Sequence, residues 1–498
     1  MPVVSSDAVE AQGSASQDSA PPKRRSWAKR IGWGILIVVL LLILLLVWLL
    51  MHFQIPQNAA GMAAKSVCSA AFVAGREPDA DELMAQDVLP ASPALKLVSV
   101  DIDTDSHSVT ARFAGLFERQ ASLLENRGCV LNEDPDPAAM PYSPPPSDPA
   151  QWPEGDAPVE KMPQGVDAEA LTAVLDKQFE GSGDPEAANT RGVAVVQDGK
   201  LLAVRDGADI EPNVALHGWS ATKTVAAMLA WKRFSEVGID VSTKVVDAFP
   251  DGREPEWVAQ WRQDERGDMT LLNLLNMTSG LNLSEGYQPW EQVVQMLYGE
   301  PNMAGWAASA PAEYPPGTHW EYLSADSNIL AEVVQAQFGS DQEYWQYPRS
   351  ALFGPIGADS ATLETDTYGT WVGSSYLWAS IGDWARLGQL MLEDGNWQGD
   401  QVFERGWTRL ATTPALPEGE GHGYGAQTWL PGQPTDGECA GQADVPADTM
   451  SMDGHWGQFI AMVPSRNVVV ARLGWTFNSD QFDQCTFLQD VLATLPAK

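Results

Sequence analysis

The sequence predicts an α+β protein: an antiparallel sheet flanked by helices, beside an all-helical lobe, preceded by one N-terminal transmembrane helix. Two pairs of strand-like runs, near residues 192–205 and 459–473, lie far apart in the chain. The residues between them follow mostly helical patterns. An apolar stretch near the N-terminus is long enough to cross a bilayer.

The first predicted element is a membrane anchor at residues 31–52. Residues 31–51 contain no charged residue and consist mainly of Leu, Ile and Val, and about 20 apolar residues span a bilayer as one helix. The basic residues before it are Lys23, Arg24, Arg25, Lys29 and Arg30. By the positive-inside rule, residues 1–30 are expected in the cytoplasm. Their polar composition, rich in Ser, Asp and Gln, predicts a disordered tail. The rest of the chain is then periplasmic or otherwise extracytoplasmic, held by a single pass in the inner (cytoplasmic) membrane.

A cleaved signal peptide is the competing interpretation of this stretch. Small residues typical of a signal-peptide cleavage site occur at 58–60 and at 62–64. Because the apolar region of a signal peptide usually has only 7–15 residues, the uncleaved anchor is favoured.

Two further regions are predicted before the main domain. Residues 53–131 form a small disulfide-containing segment, with a helical run near 59–72 and strand-like alternation at 95–102 and 109–113. Residues 132–165 contain ten prolines among acidic residues, which is typical of a linker or a loop on the surface.

The main domain is predicted over residues 166–498. Asp198-Gly199 is a hairpin turn signal between its first two strands. The strands and the final helix are expected at residues 192–196, 201–205, 459–463, 468–473 and 480–495.

The charge of the chain excludes one class of partner. The formal net charge is −36, and without residues 1–30, which carry +2, it is −38. Such an acidic surface argues against binding to nucleic acid or to an anionic membrane surface.

The four cysteines agree with an oxidising compartment. Four cysteines allow three pairings. Their two clusters favour Cys68 with Cys129 and Cys439 with Cys485. No Cys-x-x-Cys or His-x-x-x-His spacing occurs, so neither a metal nor a cofactor is predicted.

The heptapeptide GWSATKT at residues 218–224 carries the first chemical signal. Residues 221–236 have a helical pattern that Gly238 ends. Lys223 lies one turn after Ser220, so its amine can reach the Ser220 oxygen. Serine is a weak nucleophile until a base removes its proton, which makes the pair a candidate for acyl transfer. Taken alone, the four residues fit a helix N-cap serine and a solvated lysine equally well.

Two later segments supply further candidates. Tyr322 follows the Pro-rich loop PPGTHWE, and a lysine ammonium beside it can lower its pKa enough for it to act as a base. His455 lies between two glycines, directly after Gly454 and two residues before Gly457. Glycines at these positions allow a strand backbone to approach a ligand closely.

The order Ser-x-x-Lys, Tyr-x-Ser, His-x-Gly resembles the serine β-lactamase and penicillin-binding superfamily. The most similar branch is the class C-like one that includes type VIII esterases and 6-aminohexanoate-dimer hydrolases. Spacings of 102 residues from Ser220 to Tyr322 and 133 from Tyr322 to His455 fit it. The likeness covers about residues 60–498. Supporting stretches are LLNMTSGL at 274–281, VGSS at 372–375, DWAR at 383–386, GQ at 457–458 and VP at 463–464.

The resemblance implies a β-lactamase/transpeptidase-like fold and a set of roles. Ser220 is expected to form the acyl-enzyme, with Lys223 and Tyr322 sharing the role of general base. The oxyanion hole is expected at the backbone N–H groups of Ser220 and Gln458. The family also implies the same two disulfides that the cysteine clusters favour.

Departures from the β-lactamase pattern bear on the substrate. His455 stands where true lactamases carry the Lys or Arg that holds the substrate carboxylate, and a histidine is mostly neutral at pH 7. Ser324 stands where class C lactamases carry an asparagine. The residues expected to contact substrate are His455, Gly457, Ser324, Trp219 and Trp456. The expected substrates are small molecules, either linear amides or short-chain esters. A D,D-peptidase, a β-lactamase and a non-catalytic, penicillin-binding-like envelope receptor are the alternatives.

Overall fold

The computed structural model describes residues 25–181, 187–208, 210–433, 437–442 and 444–497. The first 24 residues of the predicted tail lie outside these ranges. By its internal contacts the chain divides into two compact units, Met1–His52 and Phe53–Lys498.

The described part of the first unit is one helix, α1 (Arg25–His52). It begins six residues before the predicted anchor. Within the described residues, Arg30–His52 is the one helix long and apolar enough to cross a membrane, with a mean hydropathy of 3.4. Its side chains are mainly apolar and are exposed. A helix that faces lipid requires such an exposed apolar surface.

The second unit contains all the other elements. Its α-helices are α2 (Ile55–Cys68), α3 (Ala80–Leu83), α4 (Ala168–Lys177), α5 (Thr222–Val237), α6 (Glu256–Trp261), α7 (Leu271–Leu275), α8 (Gln292–Gly299), α9 (Met303–Ala308), α10 (Ser324–Gln335), α11 (Asp341–Pro348), α12 (Ile381–Leu392), α13 (Trp407–Ala411) and α14 (Gln484–Ala493). Its strands are β1 (Val98–Asp103), β2 (Ser108–Phe113), β3 (Phe117–Leu124), β4 (Gly128–Leu131), β5 (Thr190–Gln197), β6 (Lys200–Asp206), β7 (Leu216–His217), β8 (Thr362–Leu363), β9 (Leu377–Ala379), β10 (Asn396–Trp397), β11 (Asp400–Gln401), β12 (Tyr424–Gly425), β13 (Thr428–Trp429), β14 (Met450–Gly454), β15 (Gln458–Val463) and β16 (Val468–Gly474).

A seven-stranded antiparallel sheet is the centre of the fold, in the order β12-β13-β14-β15-β16-β5-β6. Alternate residues of a strand point to opposite faces. On β16, Val468 and Val470 therefore join the core beneath α4 and α14, whereas Val469 and Ala471 join the core beneath α12. Burial on both faces explains why this strand is an unbroken apolar run.

The predicted elements of the main domain are present. β5 and β6 pair across Asp198-Gly199, whose φ angles of +52° and +69° are those of a tight hairpin turn. β15 and β16 pair as expected, and the final helix is α14. Helices α6–α11 form the helical region between the two ends of the sheet. The predicted α+β class is confirmed.

The segment at 53–131 contains more structure than its sequence pattern predicts. The helix α2 and the strands β1 and β2 agree with the prediction. β3 and β4 complete a four-stranded antiparallel meander that the pattern did not reveal, because the first half of β3 carries charged side chains and is only partly buried. The boundaries proposed at 131/132 and 165/166 stay predictions.

A buried carboxylate joins this segment to the rest of the second unit. Glu364 is 0 % exposed. It pairs with the Lys65 ammonium of α2 and accepts hydrogen bonds from Ser69 Oγ at 2.9 Å and from the Cys129 backbone N–H at 2.8 Å. The indole of Trp378 donates a further bond to it at 2.8 Å. Since four groups from three parts of the chain meet at one carboxylate, the segment is packed against the sheet-bearing region and is not a free spacer.

Replacing Glu364 with Ala should strongly destabilise the second unit. The change leaves the Lys65 ammonium buried without a counter-charge, although its hydrogen bond to Ser69 Oγ remains. Breaking a buried ion pair in this way typically costs about 3–5 kcal/mol. The measurement is the urea midpoint of the full chain in detergent. Asp268→Ala is the control, because it breaks the exposed ion pair with Lys244 and should leave the midpoint nearly unchanged. Equal midpoints for the two variants would contradict the proposed function of Glu364 as an anchor.

Both disulfides favoured by the sequence are formed. Cys68–Cys129 ties α2 to β4, and Cys439–Cys485 ties the loop after β13 to α14. Residues 132–165 pack against the rest of the second unit. Trp152 is buried there, and the Tyr142 hydroxyl donates to the Asn213 carbonyl at 2.9 Å.

Candidate active site

Ser220 lies in a short 3-10 turn that joins β7 to α5. The turn spans Trp219–Ala221, and α5 follows it directly. Trp219 has a φ of +48°, in the left-handed region that a bulky residue rarely adopts. Such strain persists only where the surrounding structure enforces it, and it clusters at functional sites. The side chain of Ser220 is half-buried, so the turn presents the hydroxyl without enclosing it.

The Lys223 ammonium connects three groups of the site. Its Nζ lies 3.0 Å from each of three oxygens: Ser220 Oγ, Ser324 Oγ and the Ser374 carbonyl. A lysine ammonium has three N–H donors, so these acceptors use all of them. The predicted contact between Ser220 and Lys223 is therefore present, and the VGSS stretch provides one of the supports of the amine.

Burial changes the protonation of this lysine. Lys223 is 1 % exposed. Desolvation lowers its pKa to about 8, although the carboxyl groups of Glu285 and Asp326 oppose the shift. About a tenth of the amine is therefore neutral at pH 7 and about half at pH 8, where it is available as a base.

The structure shows a supporting contact for Ser324. Ser324 is 0 % exposed, and its predicted contact with a substrate stays a prediction. Its hydroxyl accepts from Lys223 and donates to the Glu285 carboxylate, which also accepts the Ser324 backbone N–H at 2.8 Å. Ser324 therefore links the amine to a carboxylate behind it.

Tyr322 is positioned by the turn that follows α7, in the middle of the LLNMTSGL stretch. The Met277 carbonyl accepts the backbone N–H of Glu321 at 3.0 Å, and the Met277 sulfur accepts that of Leu323 at 3.4 Å. The Tyr322 ring then lies under the Lys223 ammonium, 4.7 Å from Nζ to the ring centroid. The Ser-x-x-Lys, LLNMTSGL and Tyr-x-Ser motifs therefore lie together around Ser220, Lys223 and Tyr322.

The pKa of Tyr322 differs from the sequence-based expectation. Burial raises it well above the usual phenol value, and the nearby Glu285 carboxylate adds to the rise. The effect of burial therefore dominates although the Lys223 ammonium lies over the ring, and the lowered pKa predicted from the sequence is not found. The phenol, which lies close to the Ser220 hydroxyl, is therefore protonated at neutral pH.

The β14–β15 hairpin forms the opposite side of the site. A Cβ on Gly454 would lie 2.2 Å from the Gly218 carbonyl oxygen, so only glycine permits this approach to the Ser220 turn. The side chain of Gln458 holds the hairpin turn, because its Nε2 donates to the His455 carbonyl at 2.9 Å. The backbone of Gln458 thus runs beside the nucleophile turn, where the oxyanion hole is expected.

Aromatic rings from the hairpin and from neighbouring segments line a cavity of about 280 Å³. His455 stacks on Tyr287 with ring centroids 4.2 Å apart, and Trp219 contacts Trp456 edge-to-face at 5.0 Å. All four rings line the cavity. Burial lowers the pKa of His455 to about 4, so this ring is neutral at pH 7. Ser220 itself lies next to the cavity and is not part of its lining.

A buried arginine lies directly behind this hairpin. Arg472 is 0 % exposed and donates to the Gly457 carbonyl at 2.7 Å. Its remaining N–H groups donate to Thr190, Thr476 and the Ala188 carbonyl. Because its donors face backbone and hydroxyl groups inside the fold, this cation supports the turn at Gly457 and is not presented to a substrate.

Comparison with known proteins identifies the family of this chain. Residues 175–492, well over half of the sequence, match the β-lactamase family. The chain belongs to the β-lactamase family. It is also 25 % identical over 191 residues to the 6-aminohexanoate-dimer hydrolase of Paenarthrobacter ureafaciens. That match covers 33 % of this chain and 46 % of the relative, so it spans less than half of the relative's length.

Two solved structures share the fold of this β-lactamase family member. A provisionally named 6-aminohexanoate-dimer hydrolase from Bacillus anthracis aligns with a TM-score of 0.51 and 18 % identity, covering 65 % of this chain and 81 % of that one. A provisionally named β-lactamase from Bacteroides dorei aligns with a TM-score of 0.50 and 16 % identity, covering 66 % and 99 %. The predicted β-lactamase-like fold is confirmed.

Three residues of the site were missed in the sequence. Glu285 and Tyr287 lie four and six residues after the family-like LLNMTSGL stretch, but among 66 acidic residues no pattern distinguishes one carboxylate. Arg472 lies within an apolar strand, where a lone charge is the signal that could have revealed it. Within the described ranges, no three His, Cys, Asp or Glu side chains cluster closely enough to hold a metal ion.

Proposed function

We propose that this β-lactamase family member is a membrane-anchored, extracytoplasmic serine hydrolase that cleaves linear amides or short esters through an acyl-enzyme on Ser220. The observation that carries the proposal is the hydrogen bonding of Lys223 to Ser220, Ser324 and the Ser374 carbonyl. A neutral amine has two N–H donors and one lone pair. If the donors stay on Ser324 and Ser374, the lone pair faces the Ser220 hydroxyl, which is the geometry of a general base.

Acylation then follows from these contacts. Lys223 takes the proton of Ser220 as the oxygen attacks the substrate carbonyl. The negative charge that develops on the carbonyl oxygen is stabilised by the backbone N–H groups of Ser220 and Gln458. As the tetrahedral intermediate collapses, the Lys223 ammonium returns a proton to the departing amine or alcohol. The protonated phenol of Tyr322 lies close enough to Ser220 to hydrogen-bond to that leaving group.

Deacylation uses the same groups with water as the nucleophile. Lys223, neutral again, takes a proton from a water molecule that attacks the acyl carbonyl. The proton then passes to the Ser220 oxygen, and the acid is released. Glu285, linked to Lys223 through Ser324, stabilises the ammonium that forms in each half-reaction.

Three observations support the proposed location. Both disulfides are formed, which fits an oxidising compartment. Arg30–His52 has the length and hydropathy of a membrane span. A signal-peptide cut near 58–60 or 62–64 would divide α2, whose Ala60, Ala63 and Ala64 are fully buried. The packing of α2 in the core therefore favours an uncleaved anchor.

The substrate class is tested with a panel of chromogenic substrates. We expect kcat/KM for a p-nitrophenyl butyrate or anilide to exceed that for a cephalosporin at least about 100-fold. The reason is that no Lys or Arg lines the described cavity, and a carboxylate buried without a cation costs several kcal/mol. Ser220→Ala gives the background rate, and a peptide ending in D-Ala-D-Ala tests peptidase activity.

The other outcomes of this panel assign the alternatives. A cephalosporin hydrolysed as efficiently as the ester would make the protein a β-lactamase, and preferential cleavage of the D-Ala-D-Ala peptide would make it a D,D-peptidase. No turnover above the Ser220→Ala background, together with no labelling by a fluorophosphonate, would indicate a receptor.

A further inference from the structure

The cavity beside Ser220 has a wall that comes from outside the matched region. That region begins at residue 175, whereas the wall is built by residues of the segment 53–131. The main apolar residues of this wall are Ile55, Ala59 and Met62 of α2 and Pro90, Ala91 and Leu95 of two short 3-10 helices, and Asn58 and Ser92 are its polar residues. Part of the space next to the nucleophile is thus shaped by a segment that precedes the hydrolase core.

This wall is held rigidly. Gly61 of α2 packs against α8, where a Cβ would lie 2.3 Å from the Tyr298 carbonyl oxygen. Tyr298 itself lines the cavity. The disulfide Cys68–Cys129 and the Lys65–Glu364 ion pair fix the other end of α2. The cavity therefore has a defined shape, which a substrate pocket requires.

The lining of the cavity is uncharged and mainly apolar. It contains no Asp, Glu, Lys or Arg among the described residues, and its one histidine is neutral at pH 7. A water molecule occupies about 30 Å³ of liquid, so the cavity of about 280 Å³ has room for a group of several carbon atoms. An ionised group would lose its hydration there without gaining a partner.

The opposite wall brings this space to the reacting atoms. Trp219 immediately precedes Ser220 in the strained turn. The Tyr287 hydroxyl lies close to the Ser220 hydroxyl, is buried, and makes no hydrogen bond within the described part of the chain. The rings of Trp219 and Tyr287 contact each other edge-to-face with centroids 6.1 Å apart, so this pair forms the boundary between Ser220 and the cavity. One end of a substrate that acylates Ser220 would reach the cavity past this boundary.

We propose that residues 55–95 form half of a specificity pocket that binds an uncharged, apolar acyl or alcohol group of the substrate. This inference rests on the proposed hydrolase function and adds the substrate class that the segment selects. The preferred substrates then carry an unbranched apolar chain or an aromatic ring that fits a cavity of about 280 Å³, and short acetyl substrates leave the pocket empty.

The test uses substitutions that narrow the pocket from the wall that residues 55–95 form. Ala59→Trp and Ala91→Trp fill the cavity, and Ala91→Leu is a milder version. Ala85→Trp is the matched control, because Ala85 is exposed, lies in the same segment and is not part of the lining. The full chain in detergent is assayed with p-nitrophenyl hexanoate against acetate, and with hexyl acetate against ethyl acetate, to separate the acyl side from the alcohol side.

In the filling variants we expect the ratio of kcat/KM for the longer to the shorter substrate to fall at least tenfold in one of the two series. The shorter substrate should stay within threefold of wild type. The Ala85→Trp variant should behave like wild type throughout. A fluorophosphonate should still label Ser220 in every variant, which shows that the reacting groups are intact.

Two results overturn the inference. One is an unchanged ratio in both series for the folded Trp variants. The other, if those variants do not fold, is an unchanged ratio for Ala91→Leu. Both differ from a failure of the proposed function, in which the wild type hydrolyses none of the four esters above the Ser220→Ala background and the pocket assignment falls with it.

Discussion

Replacing Ser220 with Ala should lower ester and amide hydrolysis by about 10⁴-fold or more while the fold stays intact. The hydroxyl is the group that would carry the acyl chain. It accepts a hydrogen bond from Lys223 at 3.0 Å, and the hydroxyls of Tyr287 and Tyr322 lie close to it. Loss of one such bond costs only about 0.5–1.5 kcal/mol. The measurements are kcat/KM for a p-nitrophenyl ester and mass spectrometry after treatment with a fluorophosphonate, which should place the adduct on Ser220.

The matched control for this variant is Ser235→Ala. Ser235 lies on the same helix, α5, is exposed, and donates only to the Trp231 carbonyl. Its replacement should leave turnover and labelling unchanged. An adduct on Ser279 or Ser374, or full activity of Ser220→Ala, would overturn the assignment of the nucleophile.

The second large effect separates the roles of Lys223 and Tyr322. Lys223→Met should lower kcat/KM by about 10³-fold or more because it removes the base, whereas Tyr322→Phe should lower it roughly 100-fold. The base must be neutral to accept a proton, so activity should rise with pH through the lysine pKa of about 8 and level off above it. The Tyr322→Phe enzyme should keep this inflection at a lower plateau.

The pH profile is the decisive measurement here. If Tyr322 were the base, its Phe variant would lose the inflection while Lys223→Met kept one. Lys232→Met serves as the control, since Lys232 lies on the same helix and pairs with Glu236 near the surface. Its pH profile should match that of the wild type.

Local patterns were sufficient for much of the fold. The apolar runs of β15 and β16 predict strands because both faces of the sheet are covered, and the hairpin at Asp198-Gly199 needs only its own turn residues. The i, i+3 spacing of Ser220 and Lys223 predicts their contact because it is a property of one helical turn. The charged first half of β3 concealed a strand, since its partial burial depends on neighbours that the pattern does not contain.

The site was predictable only as far as its motifs. The sequence alone determined the candidate nucleophile, its lysine, the tyrosine and the histidine, because short spacings and their order along the chain are sufficient to recognise them. Tertiary structure decided what surrounds them. It places Glu285 behind Ser324, turns the Lys223 ammonium onto the ring of Tyr322, and buries Arg472 behind Gly457.

Tertiary structure also brings α2, which lies more than 150 residues before Ser220 in the chain, to the cavity beside it. Burial and long-range contact set the pKa of Lys223, that of Tyr322 and the shape of the pocket. No local stretch of sequence encodes these properties, since each depends on groups that come together only when the chain folds.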